Sequence, residues 1–398
     1  MNNRGKRKIR REGAGKTIGR SFARILAVAA AIVFVCAGCH RLQNGGSDSK
    51  GAGQDLPGDD RLCVVTTIFP YYDFVRQIAG DRVKLKLVVP AGMDSHSFEP
   101  TPADMIAIQE ADVLICNGGA MEQWLERVLE SLDTSSMEIL TMMDYVDVVE
   151  EEHVEGMEDA HDHAHDHENG EEHSHADGEA HDREAEEAHA DGVVHDHEAE
   201  EAHDHGEEAF RAFDSHDGHE MDIEYDEHIW TSPVNAMAIV KIICGTLAEK
   251  APSDAARFHS NTEFYLEELA QLDARFRQVV SQGRHQMIVV ADKFPLRYFA
   301  DEYGLSYRAA FSGCSTDTEP SARTIAYLID KIKENDIGAV YYLELSSHRT
   351  ADIIGEETGA RPLLFHSCHN VARREFDEGV TYLQLMRRNV ENLRLGLQ

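Results

Sequence analysis

From residue 62 onward, short apolar and β-branched runs alternate with stretches whose apolar positions recur at helical spacing. Residues 63–68, 85–89 and 113–116 read as strands, the last running into Asn117, Gly118 and Gly119, while 71–79 and 102–110 read as helices. The pattern stops near residue 150 and resumes with a helix over 233–247. A longer helix follows, from an N-cap at Ser253 to a stop at Gly283, with Phe258, Tyr265, Leu269, Leu272, Phe276 and Val279 on one face. At 1.5 Å per residue it would span about 45 Å, more than one small domain needs, so it reads as a strut joining two lobes. Beyond it, strands over 287–290, 307–311, 339–343 and 362–365 alternate with helices over 296–303, 321–334 and 350–358, and a terminal helix starts at about Glu375. Such alternation predicts an α/β protein with parallel sheets covered by helices. The expected divisions are a lobe over 61–250, a linking helix over 251–284 and a second lobe over 285–398.

The interruption, residues 150–227, holds 15 of the chain's 23 histidines and 32 acidic residues against only Arg183 and Arg211. It therefore carries about −30 of the formal net charge of −35. With few apolar groups to offset the entropy of ordering its backbone, it is expected to be a flexible, solvated loop. His-Asp-His units recur in it as His161 and His163, His165 and His167, His195 and His197, and His203 and His205. An acidic tract alone would serve as a solubilising linker. Paired imidazoles among carboxylates point instead to auxiliary metal capture at weak, multiple and pH-dependent sites. The same acidity argues against nucleic acid as a partner.

Residues 1–24 are rich in Lys and Arg, and an apolar run over 25–35 follows, too short for a bilayer span of about 20 residues. Residues 1–38 thus read as a secretory signal. Its end, Cys36-Ala-Gly-Cys39, resembles a bacterial lipoprotein signal in which Cys39 would be lipidated, although Cys36 stands where Leu is common; a plain secretory cleavage site is the alternative. The Gly-, Ser- and Asp-rich residues 39–60 suit a tether. Cys63, Cys116, Cys244, Cys314 and Cys368 remain, an odd number. Cys314 and Cys368 lie in loop-like contexts and form the preferred pair for a disulfide, while Cys116 and Cys244 read as buried thiols.

Three histidines fall just beyond strands or at a helix start, where ligands gather in parallel sheets: His96, His228 and His366. The motifs around them are specific in combination. Gly92-Met-Asp-Ser-His96 is followed by Glu99-Pro100, and Asp226-Glu-His-Ile-Trp-Thr-Ser-Pro, Tyr298-Phe-Ala-Asp-Glu-Tyr-Gly-Leu, Glu319-Pro-Ser and Glu356-Glu-Thr-Gly come after. In these motifs the chain resembles, from Val64 to its C-terminus, the substrate-binding lipoproteins of bacterial zinc and manganese ABC importers. Many zinc-selective members carry an acidic His-rich loop in the same place.

The resemblance implies two Rossmann-like lobes bridged by a long helix, with one metal held in the cleft. It carries two ligands over to His96 and His228. Where the family often has a third His, this chain has Asp292-Lys293-Phe294-Pro295 with Lys293 at the His position, so Asp292 is the candidate there. His366 falls where the family commonly has Asp or Glu, with His369 and Cys368 in reserve. Imidazoles plus a carboxylate suit Zn(II), and Mn(II) takes second place because the shell is not all oxygen.

The expectation is therefore a non-enzymatic, monomeric protein, extracytoplasmic and lipid-anchored to the cell membrane. It would capture Zn(II) and deliver it to an ABC permease with its cytoplasmic ATPase. The alternatives are a surface metal buffer or adhesin that works through the His-rich loop, and a metal-dependent hydrolase. Against the hydrolase, the chain has no His-Glu-x-x-His, no Gly-x-Ser-x-Gly and no phosphate-binding Gly-rich loop.

Overall fold

The computed structural model describes residues 60–157, 224–313, 315 and 319–398. The signal, the tether, Cys39, Cys314 and the eight histidines of the His-Asp-His units lie outside the described residues.

Two four-stranded parallel sheets form the frame. In the first lobe β1 (Leu62–Thr66), β2 (Val83–Leu87), β3 (Val113–Cys116) and β4 (Glu138–Thr141) lie in the order β2-β1-β3-β4. In the second, β5 (Met287–Val290), β6 (Ser306–Ala309), β7 (Ala339–Tyr342) and β8 (Arg361–Leu364) lie in the order β6-β5-β7-β8. Both lobes thus share one winding, which reverses direction at the first strand. Every residue of β3 is buried, as an unbroken Val-Leu-Ile-Cys run demands of an inner strand covered on both faces.

The helices follow the sequence logic closely. The first lobe carries α1 (Phe69–Ala79), α2 (Pro102–Gln109) and α3 (Gln123–Glu130). Next come α4 (Pro233–Lys250) and the long α5 (Ala255–Gln282). The second lobe carries α6 (Arg297–Tyr303), α7 (Ala322–Glu334), α8 (Arg349–Thr358), α9 (Arg373–Asp377) and α10 (Tyr382–Gly396). Ser232 caps α4 by accepting from the backbone of Val234 and Asn235, and Ser321 caps α7. Thr101 with Asp104, and Thr381 with Gln384, form capping boxes at α2 and α10.

Helix α5 buries Phe258, Thr262, Tyr265, Leu269, Leu272, Phe276 and Val280 along one stripe. It packs on α1 and α4 of the first lobe and on α6 and α10 of the second. Large side chains buried in this way contribute about 1.5–3 kcal/mol each, so the stripe holds the lobes together as well as spacing them. A second link is polar. The Tyr382 N–H at the start of α10 donates to buried Asp73 of α1 at 2.7 Å, and the Tyr382 hydroxyl donates to the Trp230 carbonyl at 2.7 Å.

The structure departs from expectation in four places. Strand β4 and helix α3 were not anticipated; four residues, Glu-Ile-Leu-Thr, are too few to show a period. The terminal helix is two helices, broken at Gly379, whose φ of 74° suits glycine. The long helix begins after Asp254, not Ser253, and no side chain caps it.

The fourth departure concerns the ends of the stretch expected to be a loop, which are part of the fold. Glu150 and Tyr225 form an antiparallel bridge, flanked by Glu151 N–H to Glu224 O at 2.8 Å and Asp226 N–H to Val149 O at 2.9 Å. Glu152 accepts from the Tyr307 hydroxyl at 3.0 Å, and Val154 and Met157 pack on the main core. These residues reach the second lobe, contacts no hydropathy pattern reveals. Among the described residues no helix is long and apolar enough to cross a membrane.

Candidate metal centre

Three imidazoles meet between the lobes, each placed by its own local device. His96 sits in a single 3-10 turn after β2, where the Asp94 carboxylate accepts from the His96 backbone N–H at 3.0 Å. His228 begins the turn that leads into α4. Asp226 Oδ1 takes both its backbone N–H, at 2.8 Å, and its ring Nδ1, at 3.2 Å, which leaves Nε2 for a ligand. His369 follows β8 in the loop 365–371. There Cys368 adopts φ 63°, a left-handed conformation uncommon for a residue with a side chain.

His369 comes from the second lobe but is held by the first. Its ring stacks on Trp230, with centroids 5.5 Å apart at 26°, and its Nε2 lies 2.6 Å from Ser95 Oγ. Asn370 beside it donates to the carbonyls of Pro90 at 2.8 Å and Met93 at 2.6 Å. The His96 loop and the His369 loop are therefore laced together across the cleft.

Ring centroids stand 6.4 Å apart for His96 and His228, and 6.1 Å for each of their pairs with His369. In a tetrahedral zinc site with nitrogens at about 2.0–2.1 Å, the centroids would be about 5 Å apart, so each ring needs to move inward by roughly half an ångström. In keeping with this, among the described residues no three His, Cys, Asp or Glu side chains are already close enough to hold an ion.

Burial, followed by the charge of His228, pushes His96 down to about 4, against the opposing pull of Asp94. Burial and the neighbouring His228 and His96 also depress His369. Both rings are neutral at pH 7 and ready to donate lone pairs. For His228, burial is outweighed by Asp226, Glu227 and Glu151, which raise its pKa above the ordinary value. Glu227 accepts from the backbone N–H groups of Ala120 and, at 2.7 Å, Met121, so it pins the Gly119 loop beside the site. Gly119 has φ 82°, and a Cβ there would run into the Glu227 carboxylate.

Of the residues anticipated from sequence, His96 and His228 come together, whereas His366 and Asp292 are set apart from them. The His366 ring is buried within the second lobe's loop. Its Nδ1 accepts the Cys368 backbone N–H at 2.9 Å and lies 3.4 Å from Glu344. Asp292 is committed within its own lobe, accepting from Ser346, from the Lys293 N–H at 2.8 Å and from the Leu343 N–H at 3.4 Å. In the same loop it is the His369 ring, a reserve candidate, that lies 6.1 Å from both His96 and His228. Cys368 is fully buried, and Cys314, its expected disulfide partner, lies outside the described residues. Lys293 does stand at the site, with Nζ 3.8 Å from Asp94 Oδ2.

A family model described as ZnuA, zinc-uptake complex component A, periplasmic, matches residues 64–396. The chain is 27% identical over 378 residues to the high-affinity zinc uptake system protein ZnuA of Bacillus subtilis, covering 95% of this chain and 98% of that protein. It is 28% identical over 336 residues to the zinc-binding lipoprotein AdcA of Streptococcus pneumoniae, covering 84% of this chain but 56% of AdcA, and so spans about half of that longer protein. Among solved structures, the metal-dependent lipoprotein YcdH from Bacillus subtilis aligns with a TM-score of 0.60 at 24% identity, covering 85% of this chain and 99% of that one. The Zn(II)-bound ZnuA-like domain of Streptococcus pneumoniae AdcA aligns with a TM-score of 0.59 at 24% identity and the same coverage, so both have this fold. With the family model matching from the third residue of β1 to the last residue of α10, the chain belongs to the ZnuA family of periplasmic zinc-uptake components.

Proposed function

We propose that this protein is the extracytoplasmic capture component of a zinc ABC importer. One Zn(II), its cargo, is taken between the lobes by His96, His228 and His369 and passed to a membrane permease driven by a cytoplasmic ATPase. The observation that carries this reading is the convergence of three imidazoles from both lobes, with mutual centroid separations of 6.1–6.4 Å. Nitrogen donors favour Zn(II) over Mn(II), which prefers oxygen. Asp226 behind His228 and Ser95 beside His369 supply the hydrogen-bond partners that orient metal-binding rings. If His369 binds through Nδ1, its Nε2–H can keep donating to Ser95.

Capture and release follow from the lacing across the cleft. Closing on zinc adds metal–nitrogen bonds to the Ser95–His369 and Asn370 contacts, and release needs these to part. On this reading Cys39 carries the lipid anchor, the protein is a monomer, and the His-rich tract gathers zinc near the cleft without forming the tight site. The test is zinc titration of the soluble protein with and without residues 158–223. One tight site surviving the deletion, and lost in a His96→Ala, His228→Ala double variant, is the expected result. Loss of all tight binding on the deletion alone would instead favour a surface buffer working through the tract.

A further inference from the structure

A histidine gives a metal its lone pair in the plane of the ring, so the direction of that plane decides where the ion can sit. For His369 the plane and the edge are set by two different neighbours. The stack on Trp230, 26° from parallel with centroids 5.5 Å apart, fixes the plane, and the Nε2 contact with Ser95 Oγ at 2.6 Å fixes which edge faces the first lobe. The indole can serve as a plate because it is itself held fast. It is fully buried, its Nε1–H donates to the Ser367 carbonyl at 2.9 Å, and Tyr71 meets it edge to face with centroids 6.3 Å apart at 86°. Ser367 is fixed in turn by Glu344, which accepts from its backbone N–H at 2.7 Å and from its hydroxyl. The same indole touches the His228 ring at 5.5 Å and 66°, but Asp226 places that ring independently, through both its backbone N–H and its Nδ1.

We infer that Trp230 is a positioning residue for zinc capture: a plate on the first lobe that holds the second lobe's His369 ring in its metal-binding plane. The inference rests on the three-histidine reading and adds to it a residue that never touches the ion. Its effect is preorganisation. Contacts within the protein restrict the ring, so less rotational freedom is lost when the ion binds, and affinity rises without a further ligand. Because plate and ring belong to opposite lobes, the ring is oriented only while the loop 365–371 is docked on the first lobe.

The test is a double-mutant cycle on the soluble protein, with zinc affinity read by chelator competition and the coordination shell read from the visible bands of bound Co(II). Trp230→Met removes the flat face and should weaken zinc about five- to tenfold, the scale of one aromatic pair, and shift the Co(II) bands. Trp230→Phe keeps a face to stack on and should stay within about twofold with the parent's bands, although it gives up the Ser367 bond and so loses stability in urea. In a His369→Ala background, Trp230→Met should cost less than about twofold more. A residue that only fills the core would lower urea stability and leave zinc affinity alone, or weaken zinc equally with and without His369; either result overturns the proposal. The unsubstituted protein gives a second reading that no folding failure can spoil. Its metal-free form should show nuclear Overhauser contacts between the His369 ring and the Trp230 indole, and their absence would also overturn the proposal. The three-histidine reading fails differently: His369→Ala alone would then keep the parent's zinc affinity and Co(II) bands.

Discussion

Replacing His369 by Ala removes one of three nitrogens from the centre, and the structure allows the loss to be sized. Apparent zinc affinities of four-ligand protein sites correspond to about 10–16 kcal/mol, so one ligand is worth about 3 kcal/mol, or roughly a hundredfold in Kd. The same substitution deletes the stack on Trp230 and the Ser95 contact, which costs the metal-free fold about 1–3 kcal/mol. His366→Ala is the matched control. It strips the acceptor from the buried Cys368 N–H, a stability cost of about 1–3 kcal/mol, but leaves zinc affinity within about threefold. Competition against a chromophoric chelator gives the affinities, and urea unfolding of the metal-free proteins gives the stabilities. The reasoning is refuted if His366→Ala loses zinc a hundredfold while His369→Ala keeps it.

Three further outcomes follow from the same geometry. Zinc at a thousand times its Kd should add about 4 kcal/mol to stability, seen as a rise in Tm that a strong chelator reverses; no rise would mean that metal does not favour the folded state. Gly119→Ala puts a side chain at positive φ and against Glu227, so it should cost about 1–2 kcal/mol and weaken zinc binding, with both read in the same titrations. Buried Glu122 takes the Asn117 and Gly118 N–H groups on one oxygen, and burial raises its pKa from 4.5 to about 7. Its folded pKa lies above its unfolded one, so its favourable contribution is complete below about pH 4.5 and is lost as pH rises through 7. Urea melts should therefore show Glu122→Gln, which keeps the accepting oxygen, gaining on the parent by about 2–3 kcal/mol between pH 5 and 8; parallel pH profiles would contradict this.

How much of this was legible in the sequence depends on what each feature needs. Strands 113–116 and 287–290 match their predicted limits because an inner strand buried along all or most of its length announces itself as an unbroken apolar run. The long helix shows itself in the spacing from Phe258 to Phe276, which is the face it buries. His96 and His228 lie within a few residues of a strand or helix end, so local sequence places them. His366 and His369 are three residues apart in one loop, and which of them enters the cleft turns on the left-handed backbone at Cys368 and the Trp230 surface from the other lobe. Neither is a local property. Likewise, Asp292 and Lys293 are neighbours, yet hydrogen bonds from Ser346 and Leu343 draw the carboxylate away while the ammonium turns toward Asp94.

The most direct measurement is an anomalous-scattering map of the zinc-loaded soluble protein. The account predicts one strong peak within about 2.0–2.1 Å of a ring nitrogen of each of His96, His228 and His369, with the three rings drawn inward from their present separations. A peak bound to His366 or Asp292, or zinc found only on residues 158–223, would contradict it.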